Sequence, residues 1–173
     1  MAGDTGVALI VVDPEGRVFM LQEEETNLAH GKMAGQWSMP METSREGEPD
    51  AEALQRLVAE EIANMAVWVE AEPFGSYQVM PDIEVRLYLG FLRSSFLPQG
   101  LWVRPYGGPL GNFILPPRSA ETDGVSGHCW VPLGDATELW LRRGAWEMLR
   151  DCREGNRGVV RKRCRAATPL AKV

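Results

Sequence analysis

The chain has 173 residues, 45% of them hydrophobic and 8% aromatic, which is enough for one domain with its own core and too apolar for a disordered segment. A formal net charge of −6 disfavours a general nucleic-acid binder, and no apolar run reaches the roughly 20 residues that span a bilayer. Three cysteines without metal-ligand spacing and only two histidines argue against a disulfide framework and a zinc site, so the default expectation is a reducing, cytoplasmic compartment with no membrane association.

The opening MAGDTG lacks the basic and apolar parts of a signal peptide. Residues 6–12 and 17–23 then read as two apolar strands joined by the turn Asp13-Pro14-Glu15-Gly16. Residues 26–36 are a polar loop with Gly31 and Gly35, and His30 lies where it can face a substrate. A helix is expected over residues 50–65. Pro49 suits its start, Glu48 and Asp50 favour its positive end, and Leu54, Leu57, Val58, Ile62 and Met65 follow helical spacing.

Residues 67–79 and 83–93 read as a hairpin turning at Met80-Pro81-Asp82. Residues 96–127 are rich in glycine and proline and long for a connection within one domain, which marks them as functional or mobile. The segment HCWVPLGDATEL reads as a strand bearing Trp130. A second helix is expected from Thr137 to Cys152, with Leu139, Leu141, Trp146 and Leu149 on its apolar side. The C-terminus is basic, and its tail has no aromatic residue to stack on a base, so RNA binding is a weak reading.

Chemistry concentrates between Gln36 and Ala66. Arg56 and Glu60 lie four apart on the expected helix, Glu61 adjoins Glu60, and an acidic loop containing Glu42 and Glu48 leads into them. Adjacent carboxylates near an arginine are what a divalent-metal site handling phosphates needs: hard oxygen ligands hold the ion, and the ion neutralises pyrophosphate charge.

This segment resembles the Nudix box: a glycine, five residues, a glutamate, seven residues, then Arg-Glu-aliphatic-x-Glu-Glu-x-Gly-aliphatic. Glu48, Arg56, Val58, Glu60 and Glu61 match it. Glu42 stands at the loop glycine, Leu57 at the first glutamate of the helix, Ala63 at the closing glycine and Asn64 at the last aliphatic place. With the flanking strands, the resemblance covers roughly residues 5–150. It implies an α/β (α+β) fold with a mixed β-sheet sandwiched between helices, in a single domain over residues 1–153 followed by a basic tail at 154–173.

The resemblance further implies a hydrolase, dependent on Mg²⁺ or Mn²⁺, that cuts a pyrophosphate linkage in a nucleoside diphosphate derivative. Its catalytic residues would be Arg56, Glu60 and Glu61, with Arg56 orienting Glu48 or Glu60. The metal ligands would come from Glu60, Glu61, Glu42 and Glu121, with Asp123 as a second late-loop acid. Substrate contacts are expected from Trp37, Glu48 and Tyr77, with Phe74, Trp102, Tyr106 and Phe113 as further aromatic faces. The partner is then a nucleotide-type small molecule, and a homodimer is left open.

Leu57 and Glu42 favour an alternative, a catalytically impaired domain that binds a nucleotide or a protein as sensor or scaffold. A diphosphate isomerase is a third reading, against which no cysteine lies near the box. If the degraded box limits catalysis, Leu57→Glu should raise metal affinity or rate.

Overall fold

The structure is a computed structural model that describes residues 4–62, 67–92, 125–155 and 158–163. The first apolar run forms β1 (Asp4–Val12). Asp13 ends it by accepting the backbone N–H groups of Glu15 and Arg17 on one carboxylate oxygen at 2.9 and 2.8 Å, which closes the expected turn. There follow β2 (Arg17–Glu23), a 3₁₀ turn at Leu28–His30, β3 (Trp37–Ser38), β4 (Met41–Thr43) and α1 (Asp50–Glu61). The chain continues through β5 (Val67–Val69), β6 (Gly75–Met80), β7 (Ile83–Leu92), β8 (Val125–Pro132), α2 (Leu133–Ala136), α3 (Ala145–Glu154) and β9 (Gly158–Arg163).

One mixed sheet runs β3-β2-β1-β7-β6-β9, with β4 beside β1, β5 beside β7 and β8 beside β2. β1 and β7 pair in parallel from Asp4 opposite Ile83 to Val12 opposite Phe91. β1 is buried on both faces, which is why it reads as an unbroken apolar run rather than an alternation. Val7, Leu9 and Val11 pack with Ala53, Leu54, Leu57 and Val58 of α1. Ala8 and Ile10 belong to the opposite core, with Met148 and Leu149 of α3. The sheet therefore lies between helices, as expected of an α+β fold.

Three expectations are corrected. The box helix stops at Glu61 rather than 65: Ile62 leaves helical geometry (φ −124°, ψ 73°) and buries its side chain fully in the α1 core. The single hairpin over 67–93 is three strands, because β5 pairs with the C-terminal half of β7 and β6 with its N-terminal half; Pro73 lies in the break between them. Of the helix expected from Thr137 to Cys152 only the part from Ala145 onward is helical, as α3; α2 ends before Thr137, and residues 137–144 are turns around a short extended stretch at 140–142. Gly144, at φ +85°, sets the boundary before α3, and Leu141 bridges to the backbone of Trp37.

Residues 158–163, placed with the basic tail in the sequence, form β9 parallel to β6 at the edge of the sheet. Among the described residues no helix is long and apolar enough to cross a membrane.

Candidate functional site

The box loop is organised around Arg56. Its Nε and Nη2 donate to the two oxygens of Glu48 at 3.3 and 2.8 Å, Nη2 also donates to the carbonyl of Thr43 at 3.0 Å, and Nη1 lies 2.5 Å from Glu42 Oε1. Glu48 Oε2 also accepts the backbone N–H of Arg45 at 2.7 Å. The Arg56 guanidinium, followed by the Arg45 N–H, holds the Glu48 carboxyl below its ordinary value; in turn Glu48 first, then Glu42, raises Arg56.

Arg56 thus orients Glu48, one of the two partners expected for it, and binds Glu42 in addition. Glu42 sits in β4 opposite Val7, so the box-glycine position is extended strand here. The left-handed residue of this loop is Gly47, at φ +74°, which turns the chain so that Glu48 faces Arg56. A Cβ on Gly6, across the ladder, would lie 2.8 Å from the carbonyl oxygen of Glu42, so the approach of β4 to β1 depends on that glycine.

At the other end of α1 a small pocket is lined by Glu61, Glu23, Lys32, Ser38 and Arg142, with Leu21, Met39 and Met41 as its apolar wall. Glu23 Oε1 accepts Ser38 Oγ at 3.1 Å and Arg142 Nη1 at 3.2 Å; its Oε2 lies 3.5 Å from Lys32 Nζ. Arg142 Nη2 donates to the carbonyl of His30 at 2.8 Å. Burial pulls the Arg142 guanidinium below its ordinary value, against the opposing charges of Glu23 and Glu61.

Backbone bonds fix Lys32 and Arg142: Lys32 N–H donates to Asn27 O at 3.1 Å, and Asn27 N–H donates to Lys32 O at 2.9 Å. Trp37 N–H donates to Trp140 O at 2.7 Å, and Arg142 N–H donates to Trp37 O at 2.9 Å. Buried Gln36 ties the loop to the same segment, donating from Nε2 to Leu141 O at 3.2 Å and accepting Met33 N–H at 2.9 Å.

Of the expected site residues, Glu61 is half-buried in the pocket wall, whereas Glu60 is exposed and does not line the pocket. Glu42 and Glu48 are gathered at Arg56. Trp37 is half-buried and serves the pocket through its backbone. Tyr77 lies in the core at 2% exposure and donates its hydroxyl to Asp151 at 3.0 Å; Phe74 is also core. Glu121, Asp123, Trp102, Tyr106 and Phe113 lie outside the described residues.

The sequence reading missed Glu23, Lys32, Ser38 and Arg142. In the sequence Glu23 opens the acidic run Glu23-Glu24-Glu25, and Arg142 stands among the basic residues towards the C-terminus. The available signal was that Glu23 ends the apolar strand two residues after Leu21; in the structure it is buried, whereas Glu24 and Glu25 are exposed.

Among the described residues no three His, Cys, Asp or Glu side chains converge as a metal group, and Leu57, at 0% exposure, belongs to the core. Mg²⁺ is commonly held by one or two carboxylates together with substrate phosphates and water. Glu61 alone in the pocket wall fits an ion shared with a phosphate, and the described residues form no three-carboxylate cage.

The family model for the NUDIX domain matches residues 4–152. Among solved structures, a NUDIX hydrolase from Nitrosomonas europaea shares 14% identity, with 94% of this chain and 79% of that one covered at a TM-score of 0.58. An ADP-ribose pyrophosphatase from Streptococcus suis shares 18% identity, with 93% and 97% covered at 0.54. The NUDIX domain of NrtR from Shewanella oneidensis, solved with ADP ribose, shares 14%, with 90% of each chain covered at 0.55. At these identities the structures establish the fold alone. No curated protein matches the chain significantly.

Proposed function

The chain belongs to the Nudix family, and we propose that it hydrolyses a pyrophosphate linkage in a nucleoside diphosphate derivative, with Mg²⁺ or Mn²⁺ held between Glu61 and the substrate phosphates. The observation that carries this reading is the placement of Glu61 in one pocket wall with Lys32 and Arg142.

When bound, the metal supplies neutralisation of phosphate charge and lowers the pKa of a water. Glu61 would hold it from the pocket wall, with Glu60 exposed beside it at the same helix end. Arg142 presents its planar guanidinium and Lys32 its ammonium to phosphate oxygens. Leu21, Met39 and Met41 complete the pocket lining. Arg56 acts at a distance as a positioning residue, fixing the loop that leads into α1 through Glu48, Glu42 and Thr43. Water attack on phosphorus breaks the anhydride P–O bond and leaves two phosphorylated products.

Two of the similar structures are an ADP-ribose pyrophosphatase and a domain solved with ADP ribose, which makes ADP-ribose the first compound to assay. The assay takes purified protein with Mg²⁺ and then Mn²⁺ on ADP-ribose, nucleoside triphosphates, NAD(H), dinucleoside polyphosphates and nucleotide sugars, with Glu61→Gln as control. Metal-dependent turnover lost in the control supports the reading, and absence of turnover across the panel overturns it.

The full burial of Leu57 favours a second reading, a domain that binds a nucleotide without cutting it. That reading predicts a nucleotide-induced rise in melting temperature with no product formed.

A further inference from the structure

Resting on the proposed reading of the pocket, we infer that Glu23 is a positioning residue: its buried carboxylate aims Arg142 and Lys32 at the substrate phosphates without meeting the substrate itself. Glu23 is 7% exposed and ends a strand whose other buried residues, Val18, Phe19, Met20 and Leu21, are all apolar. A carboxylate is kept in such a place only where charge and hydrogen bonds compensate its burial.

Both do so here. The backbone of Glu23 is pinned first: its N–H donates to Gln36 O and its carbonyl accepts the N–H of Gly35, each at 2.8 Å. The side chain then meets three partners. Its Oε1 accepts Ser38 Oγ at 3.1 Å and Arg142 Nη1 at 3.2 Å, and Lys32 Nζ lies 3.5 Å from Oε2. One carboxylate therefore joins β2, β3, the loop at Lys32 and the stretch before α3.

Arg142 needs such a partner. Burial pulls its guanidinium below the ordinary value, and the charge of Glu23, ahead of that of Glu61, opposes this. Nη1 is engaged by Glu23 and Nη2 by the carbonyl of His30, so the plane of the fork is fixed while its remaining N–H groups are left for a ligand. A fixed plane is what a guanidinium needs to meet a phosphate through two parallel hydrogen bonds. Lys32, a point charge on a flexible stem, is confined by the same carboxylate.

Charge and orientation pull in opposite directions, which separates positioning from mere cohesion. The negative charge of Glu23 competes with phosphate for both cations and weakens binding; its geometry holds those cations in place and raises turnover. Glu23→Gln keeps a carbonyl oxygen for Arg142 and Ser38, removes the charge and leaves Lys32 untethered. Calorimetry on the full chain in EDTA should show inorganic pyrophosphate bound about tenfold more tightly. With the substrate that wild type turns over, kcat should fall about 10–100-fold and KM should fall with it. Ser38→Ala loosens the carboxylate but keeps its charge, so kcat should fall while pyrophosphate affinity stays within about twofold of wild type. Circular dichroism and melting temperature check that both variants are folded.

An unchanged kcat in folded Glu23→Gln overturns the inference. So does a lower kcat with pyrophosphate binding weakened or unmoved, the pattern of a tie that only holds the loop to residues 140–142. Should Glu23→Gln fail to fold, Ser38→Ala decides: a lower kcat with pyrophosphate affinity kept supports the inference, and any other result overturns it. All of these are measured against an active wild type and leave the hydrolase reading standing. A wild type without turnover on the whole panel overturns both.

Discussion

Leu57→Glu restores the family residue at the one helical position where the box lacks an acid, and the structure reverses what that change is expected to do. Leu57 is fully buried and packs in the core between α1 and the sheet, with Leu9, Val11 and Val58 in the same cluster. Losing the leucine forfeits about 1.5–3 kcal/mol of apolar burial. Placing a carboxylate there adds several kcal/mol, limited by the option of taking up a proton. A combined cost of about 4–6 kcal/mol is a large part of the roughly 5–15 kcal/mol that holds a domain together. At roughly 2–4 °C per kcal/mol for a chain this size, the melting temperature should fall by about 10–20 °C.

The sign of the pH dependence follows from the same burial. A buried acid has its folded pKa raised, so the variant is penalised increasingly as pH rises above the ordinary glutamate value of about 4.3 and stands closest to wild type below it. Thermal melts at pH 5 and pH 8, with and without Mn²⁺, measure this. A melting temperature within a few degrees of wild type together with tighter Mn²⁺ binding would refute the argument, because position 57 would then open on the site.

Three further outcomes are expected. Gly6→Ala pushes a methyl against the backbone carbonyl of Glu42, so β4 must shift from β1; urea unfolding should show a loss of about 1–3 kcal/mol. Glu48, depressed by Arg56, contributes stability that is present above the ordinary glutamate value and lost as pH falls through its lower folded value. Acid titration of the melting temperature should therefore show a shallower fall in Glu48→Gln than in wild type. Tyr77→Phe removes a buried hydrogen bond to Asp151 and should cost about 1–3 kcal/mol while leaving KM unchanged, since the ring lies in the core.

Legibility from the sequence followed the range of the interactions. The β1–β2 turn was readable because Asp13 acts on neighbours within four residues. The start of α1 was readable because Pro49, Asp50 and the apolar spacing are all local, and the match to the family pattern located Arg56 and Glu48 together. The late start of the second helix was harder: Leu139 and Leu141 are half-buried and buried without being helical, and only Gly144 marked the boundary.

Leu57 carried two readings at once, as a member of the apolar set with Leu54 and Val58 and as a neighbour of Glu60 and Glu61. Burial decides for the first. The pocket was out of reach because Glu23 and Arg142 are separated by 119 residues, and no periodicity joins a strand end to a loop that distant.

The division of charge between the two ends of α1 also decides what Arg56 is able to do. A guanidinium has five N–H groups. Arg56 directs Nε and Nη2 at Glu48, Nη2 also at Thr43 O, and Nη1 at Glu42, which engages four of them within the loop. A bidentate contact with a phosphate would require breaking contacts that hold the entry to α1. On the proposed reading the phosphate charge is met from outside the box, by Lys32 in the loop after β2 and Arg142 before α3. On this argument the box fixes where Glu61 stands, and residues far from it in sequence choose what Glu61 meets.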